Sequence, residues 1–244
     1  MLPLGIRLRI LLRLPLLQAS WNYERMQSLG VLYILYPALR FIYRDGDLVL
    51  ACQRHLQYFN THPFMAGPIL GTTLALEEER SLHTEGTLDV DEFKAMIMAP
   101  FAAMGDAFFW GGLRPLSAAL ALLVAAAGCW WAPLAFLLFF NLPHGWALIA
   151  GLCGGYRHGS GMIARVQRYR LPDLAVRCKE VTALLLGALS AVLVADALRA
   201  AEAAPAWGPC ALLLVPLLGG LARLGVSNLI LILLMAATLL VFLG

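Results

Sequence analysis

The pattern of apolar and charged positions divides the chain near its middle. Residues 115–156 form a run of 42 without an Asp, Glu, Lys or Arg, and residues 181–195, 203–222 and 224–244 are likewise uncharged. About 20 apolar residues cross a hydrocarbon core as a helix, and a soluble domain cannot solvate a surface made of such segments. The first half is different: its apolar runs are shorter and broken by polar turns. The expected fold class is an all-α integral membrane protein, with N-terminal interfacial or re-entrant helices followed by several transmembrane helices. Four regions follow. Residues 1–115 are helical and membrane-apposed or re-entrant, 116–156 are apolar membrane segments, 157–180 are a basic loop, and 181–244 are C-terminal transmembrane helices.

Within the first region, residues 4–17 interleave Arg7, Arg9 and Arg13 with leucines. A secretory signal gathers its charge before an unbroken apolar core, so this pattern reads as an interfacial helix instead. Apolar residues 26–43 carry Pro37, residues 44–47 read as a turn, and 48–59 read as a helix bearing Arg54 and His55. Then Asn60, Thr61, His62 and Pro63 break the pattern, and Pro68 follows closely. Proline suits the first helical position, so helices begin at Pro63 and again at Pro68, the second running to about His83. Such a break is either a re-entrant element, tolerated only inside protein or beside water, or a surface helix–loop–helix. Residues 86–91 read as a polar loop. A second break lies at 105–115. The 42-residue run is either a two-pass hairpin or one pass plus a broken helix, since residues 141–145 interrupt it. Residues 181–198 span, and 207–222 and 224–243 follow, with a turn required at Arg223 unless one segment stops short.

Composition sharpens this picture. The chain is 61% hydrophobic and 14% charged, against about 25% charged in soluble domains. A net charge of +3 is too small to suggest nucleic acid. Residues 157–179 hold six Lys or Arg and one acid, Asp173. Short basic loops stay cytoplasmic, which places 157–179 on that side. Five cysteines without a CxxC spacing read as small buried hydrophobes, not as a disulfide or metal framework.

Motifs for chemistry are sparse: no phosphate-binding loop, nucleophile elbow, zinc-helix motif or dinucleotide fingerprint is present. No histidine stands at metal-ligand spacing from another, and neither metal nor cofactor is expected. Gly151, Gly154 and Gly155 suit close helix packing. Asn60, Thr61 and His62, flanked by Phe59 and Phe64, offer polar groups beside aromatic faces, as a sugar site does; helix capping is the other role open to them. Glu77, Glu78 and Glu79 crowd a helix C-terminus, against the macrodipole. Either Arg80 and solvent compensate them or a basic partner surface does. Asp106 and Arg114 read as an ion pair with each other or with a partner subunit.

Several ordered segments carry a resemblance: residues 18–27 (QASWNYERMQ), Arg54-His55 leading to 59–64 (FNTHPF), 66–71 (AGPILG), 74–78 (LALEE), Gly105-Asp106 with 109–111 (FWG), and Arg114-Pro115. In these the chain resembles the IID component of the mannose-type (mannose–fructose–sorbose) sugar phosphotransferase system, thinly continued through Asn141, His144 and Gly155-Tyr156. The latter half is shorter and plainer, rich in Ala and Leu. The resemblance implies a bacterial inner-membrane subunit that forms a sugar-translocating unit with a IIC subunit, as a trimer of IIC–IID pairs. Cytoplasmic IIA and IIB subunits relay phosphate to a hexose or related sugar, and the IID chain itself carries no phosphohistidine. It also implies a C-terminus outside. Asn60, Thr61 and His62 then belong near the sugar pathway or a moving contact. Asn22, Glu24 and Arg25 organise the N-terminal segment, Asp106, Trp110 and Arg114 fix the second break, and Glu77 and Glu78 face the IIB subunit. Two rivals remain: an integral-membrane enzyme using His62 and Glu78 as acid and base, and a membrane scaffold or receptor-like subunit without transport.

Overall fold

A computed structural model describes residues 2–82, 88–200, 202 and 208–243. His83 and the start of the loop at 86–91 lie outside them. The chain divides into two compact units, 1–184 and 185–244. The first contains α1 (Leu4–Arg13), α2 (Ser28–Ile42), α3 (Asp45–His55), α4 (Ala66–Ser81), α5 (Val90–Gly105), a π-helical segment (Asp106–Leu113), α6 (Arg114–Ala126), α7 (Ala132–His158), α8 (Gly161–Arg168) and the start of α9 (Leu171–Ala200). The second contains the rest of α9, then α10 (Gly208–Arg223) and α11 (Asn228–Leu243).

The first unit is built around α4. Every residue from Ala66 to Glu77 is buried, which suits a helix apolar on all sides. Its closest neighbour is α7. A Cβ on Gly67 or Gly71 would strike the backbone of Leu148 or Leu152, and one on Gly151 or Gly155 would strike Pro68 or Thr72. Two glycine pairs, each four residues apart, thus let the two backbones touch, the packing expected of helices in lipid. The surface helix–loop–helix alternative is thereby excluded for the segment after Pro68. Around α4 lie Ile34 and Leu39 of α2 and Phe93 and Phe101 of α5, all buried.

α1 shows two faces. Ile10 is buried, as are Leu14 and Leu17 just beyond the helix, while Leu4, Leu8 and Leu12 are exposed. Gly30 of α2 lies directly against the Leu17 backbone, where any side chain would collide. Of the interleaved arginines, Arg13 turns inward: its Nη1 donates to the Tyr33 carbonyl at 2.8 Å and its guanidinium stacks 4.3 Å from the Tyr33 ring.

Among the described residues, three stretches are long and apolar enough to cross a membrane: Val90–Ala126, Ala132–His158 and Gly161–Ala200. The second expected break, at 105–115, therefore does not interrupt the helix. Pro115 has no N–H to give the Gly111 carbonyl one turn back, and the ladder relaxes into the π-helical segment instead of ending. The 42-residue run resolves as a hairpin: α6 and α7 pack together across a turn at 127–131, where Gly128 adopts φ +82°. Pro143 sits inside α7 without ending it. The stretch 157–180 is mostly helical, divided between the end of α7, α8 and the first turns of α9, and is not a loop. In the second unit a turn follows Arg223, with Gly225 at φ +91°.

Candidate functional site

Two short irregular segments meet beside α4. Asn22 Oδ1 accepts from the backbone N–H of Glu24 and Arg25, at 3.1 and 2.8 Å, and folds the loop before α2 back on itself. Met26 takes a left-handed conformation at φ +54°. The chain then runs alongside Phe59: the Gln27 N–H donates to the Phe59 carbonyl at 2.9 Å, and the Phe59 N–H reaches the Arg25 carbonyl at 3.4 Å. The buried Gln27 side chain completes the seam. Its Nε2 donates to the Thr61 carbonyl at 2.8 Å and its Oε1 accepts from the Thr61 N–H at 3.1 Å. The amide thus satisfies both backbone groups of the break, where no helix does. Thr61 Oγ1 donates to the Met98 carbonyl of α5 at 3.0 Å.

His62 closes the break as a cap, its Nδ1 accepting from the Phe64 N–H at 3.3 Å. Gly105 leaves the space that the imidazole fills. The ring stacks on Phe109 at 5.2 Å and meets Trp110 edge-on at 6.0 Å. Phe109 also stacks on His144 of α7 at 4.7 Å, which itself lies against Phe64 at 3.7 Å and Phe140 at 4.2 Å. The Nε2 atoms of both His62 and His144 are buried and have no hydrogen-bond partner among the described residues. Polar ring nitrogens are therefore held in an aromatic cage where the break meets the π-helical segment and α7.

At the far end of α4 sits a buried carboxylate. Glu77, wholly buried, accepts from Arg54 Nε and Nη2 at 2.9 Å each, from His55 Nε2 at 2.8 Å and from Tyr43 OH at 2.7 Å. Burial alone would raise its pKa, but the hydrogen bonds from His55 and Arg54 hold it down at about 2. Burial keeps His55 below its ordinary range despite the Glu77 contact. A neutral imidazole then donates from Nε2 to Glu77, and its Nδ1 has no partner among the described residues. Lys94 Nζ closes the group by donating to the Arg54 carbonyl at 3.0 Å.

The expected site residues separate accordingly. Thr61 and His62 are joined to the second break through Met98, Phe109 and Trp110, while Asn60 is exposed. Asn22 and Arg25 hold the N-terminal loop; Glu24 is exposed and pairs with Arg25 at 3.6 Å. Asp106 and Arg114 form no ion pair with each other. Both are exposed, and Arg114 stacks over Trp110 at 5.6 Å. Glu77 is wholly buried and does not present its carboxylate at the surface: Arg54 supplies the positive charge from within the chain and His55 a further hydrogen bond. Arg80 pairs instead with Asp89 at 2.8 Å. Both Glu78 oxygens accept from Tyr156 OH at 2.8 Å. His62 and Glu78 flank the length of α4, about 18 Å apart by helical rise, so the acid–base pair of the enzyme alternative does not assemble. Sequence reasoning assigned no individual role to Gln27, Phe109, Phe140 or His144. A histidine in a 42-residue uncharged run was the available signal for the last.

A family model described as the PTS system mannose/fructose/sorbose family IID component matches residues 6–204. The chain belongs to this family. Among curated IID proteins, the mannose-specific EIID component of Escherichia coli K12 is 42% identical over 159 residues, 63% of this chain and 56% of that protein. The sorbose-specific EIID component of Lacticaseibacillus casei is 39% identical over 60% of this chain and 52% of its own length. The fructose permease IID component of Bacillus subtilis is 35% identical over 71% and 64%. The chain spans little more than half the length of the curated relatives it matches. Its structure resembles the complex of the mannose transporter ManYZ with microcin E492, at TM-score 0.61 and 36% identity over 78% of this chain and 70% of that one. A second solved membrane protein gives 0.73 and 30% identity over 97% and 94%. The IID match takes in every segment of the site, and leaves α10 and α11 outside it.

Proposed function

We propose that this IID chain is a membrane subunit of a phosphoenolpyruvate-dependent sugar phosphotransferase permease and forms the translocation unit with a IIC subunit. One observation carries the reading. Several of the segments that resemble IID proteins, residues 22–27, 59–64 and 105–110 with His144, meet where the break at Asn60–Pro63 packs against the π-helical segment and the aromatic cage. The likeness to a mannose transporter complex supports a membrane partner. In this reading IIC–IID pairs assemble as trimers, cytoplasmic IIA and IIB subunits deliver phosphate, and the sugar is a hexose or a relative of one. The basic stretch 157–179 lies on the cytoplasmic side, and the C-terminus lies outside. Asn60, Thr61 and His62 flank the sugar path or the moving contact, while the chain performs no phosphoryl transfer.

The test is co-expression of this chain with a IIC subunit encoded beside it, followed by purification in detergent. A co-purifying complex that, with IIA, IIB and the general phosphotransferase proteins, phosphorylates labelled mannose, fructose or sorbose is the expected result. A stable complex that binds and phosphorylates none of them would instead favour the scaffold reading.

A further inference from the structure

A cavity of about 230 Å³ opens between α4, the π-helical segment, α7, α8 and the first turns of α9. Its walls are apolar, formed by Phe108, Ala147, Ala150, Met162 and Leu174 among others. Nothing there satisfies sugar hydroxyls, and an apolar cavity does not hold water. It is also too small for a helix about 10 Å across. Its mouth is different in character. Trp146 and Tyr169 stand there 62% and 54% exposed, edge to face at 6.3 Å. α8 is amphipathic: Met162 and Val166 are buried and line the cavity, while Arg165 and Arg168 are exposed on its outer side. Arg170, next along, is already paired with Asp173.

An apolar slot, an aromatic rim and arginines outside it reproduce the profile of one leaflet, from hydrocarbon through interface to headgroup. We propose that this cavity holds one acyl chain of an anionic phospholipid from the surrounding bilayer, with its phosphate at Arg165 and Arg168. The lipid wedges α8 against α4 and α7, next to the aromatic cage: Phe109 lines the cavity and also stacks on His62. The proposal does not depend on the sugar role, because it concerns a structural ligand that would be retained whether or not transport occurs.

Native mass spectrometry of the purified permease complex tests it, with melting temperature measured as phosphatidylglycerol or phosphatidylcholine of identical chains is added. One retained lipid per chain is expected, with phosphatidylglycerol preferred about 30-fold for two arginines at the headgroup. Arg165→Gln with Arg168→Gln should abolish the preference yet leave the complex folded. Ala150→Phe should fill the slot and expel the lipid. No retained lipid, or retention unchanged in Ala150→Phe, would overturn the proposal. Equal response to the two headgroups would overturn it also, and a partner side chain found in the slot would explain either failure. If Ala150→Phe does not fold, the arginine pair still decides, because its loss of headgroup preference is read on folded complex.

Discussion

Glu77→Gln isolates the buried charge group at the end of α4. The substitution keeps the volume and removes the charge that Arg54, with its side chain only 12% exposed, has as its bidentate partner. Breaking one side of a buried pair costs about 3–5 kcal/mol. The depressed carboxyl gives a second route to the same figure: a fall from 4.5 to about 2 corresponds to about 3 kcal/mol of stabilisation at neutral pH. For a chain of this length that is a loss of about 10 °C in melting temperature, measurable by fluorescence-detected unfolding of the purified complex in detergent. The pH profile adds a sign. A carboxyl whose folded pKa is lowered contributes fully above 4.5 and loses its contribution as the pH falls from 4.5 towards 2. His55, lowered by burial from its ordinary 6.5, contributes above that value and loses its contribution below it, so both groups destabilise on acidification. Glu77→Gln should therefore melt low at pH 7 and show a flatter profile than the parent below pH 4.5. A variant within 2 °C of the parent at pH 7, or one that keeps the parent slope below pH 4.5, would refute the idea that this carboxylate is paired internally.

Three further outcomes follow from the geometry. Gly155→Leu drives a side chain into the Pro68 and Thr72 backbone and should cost about 3 kcal/mol or more, seen as loss of the monodisperse peak; Gly145→Ala, in the same helix with open space around it, should be neutral or stabilise by up to about 1 kcal/mol. Gln27→Leu leaves both Thr61 backbone groups buried and unsatisfied, at about 2 kcal/mol, and should speed limited proteolysis near residue 60. Asn60→Ala, at an exposed position, should change stability by less than about 0.5 kcal/mol while impairing sugar uptake; equal loss of insertion and uptake would assign it a purely structural role.

How much of this was legible from the sequence depended on whether a signal was local. Uncharged runs gave the membrane class, and Gly151 with Gly155 gave close packing, because both depend on what is absent from a segment. The two breaks were read alike from Gly and Pro, yet they differ. Asn60–Pro63 does interrupt the helices, with Gln27 supplying its hydrogen bonds. Residues 105–115 stay helical because a π-helical turn absorbs the missing N–H of Pro115. Charges were the hardest to place. Glu77 at a helix end demands positive charge nearby, and the demand reads the same whether Arg54 or another subunit answers it. Only the fold, which carries α3 back against α4, distinguishes the two.

The same distinction separates the residues first singled out together. Thr61 has its N–H, its carbonyl and its hydroxyl all engaged, to Gln27 and Met98, so its place in the break is explained by folding alone. His62 is not explained in that way. Its Nδ1 caps a short turn, a task that Asn or Ser performs as well, while its Nε2 is buried and has no partner among the described residues. A buried polar nitrogen without a partner costs about 1–3 kcal/mol, and apolar rings would fill the same cage without that penalty. Sites where local stability is sacrificed are where function is expected to lie. Of the cluster at the break, it is therefore the imidazoles of His62 and His144, both stacked on Phe109, and not Thr61, that folding alone leaves unexplained and that the proposed transport role would use.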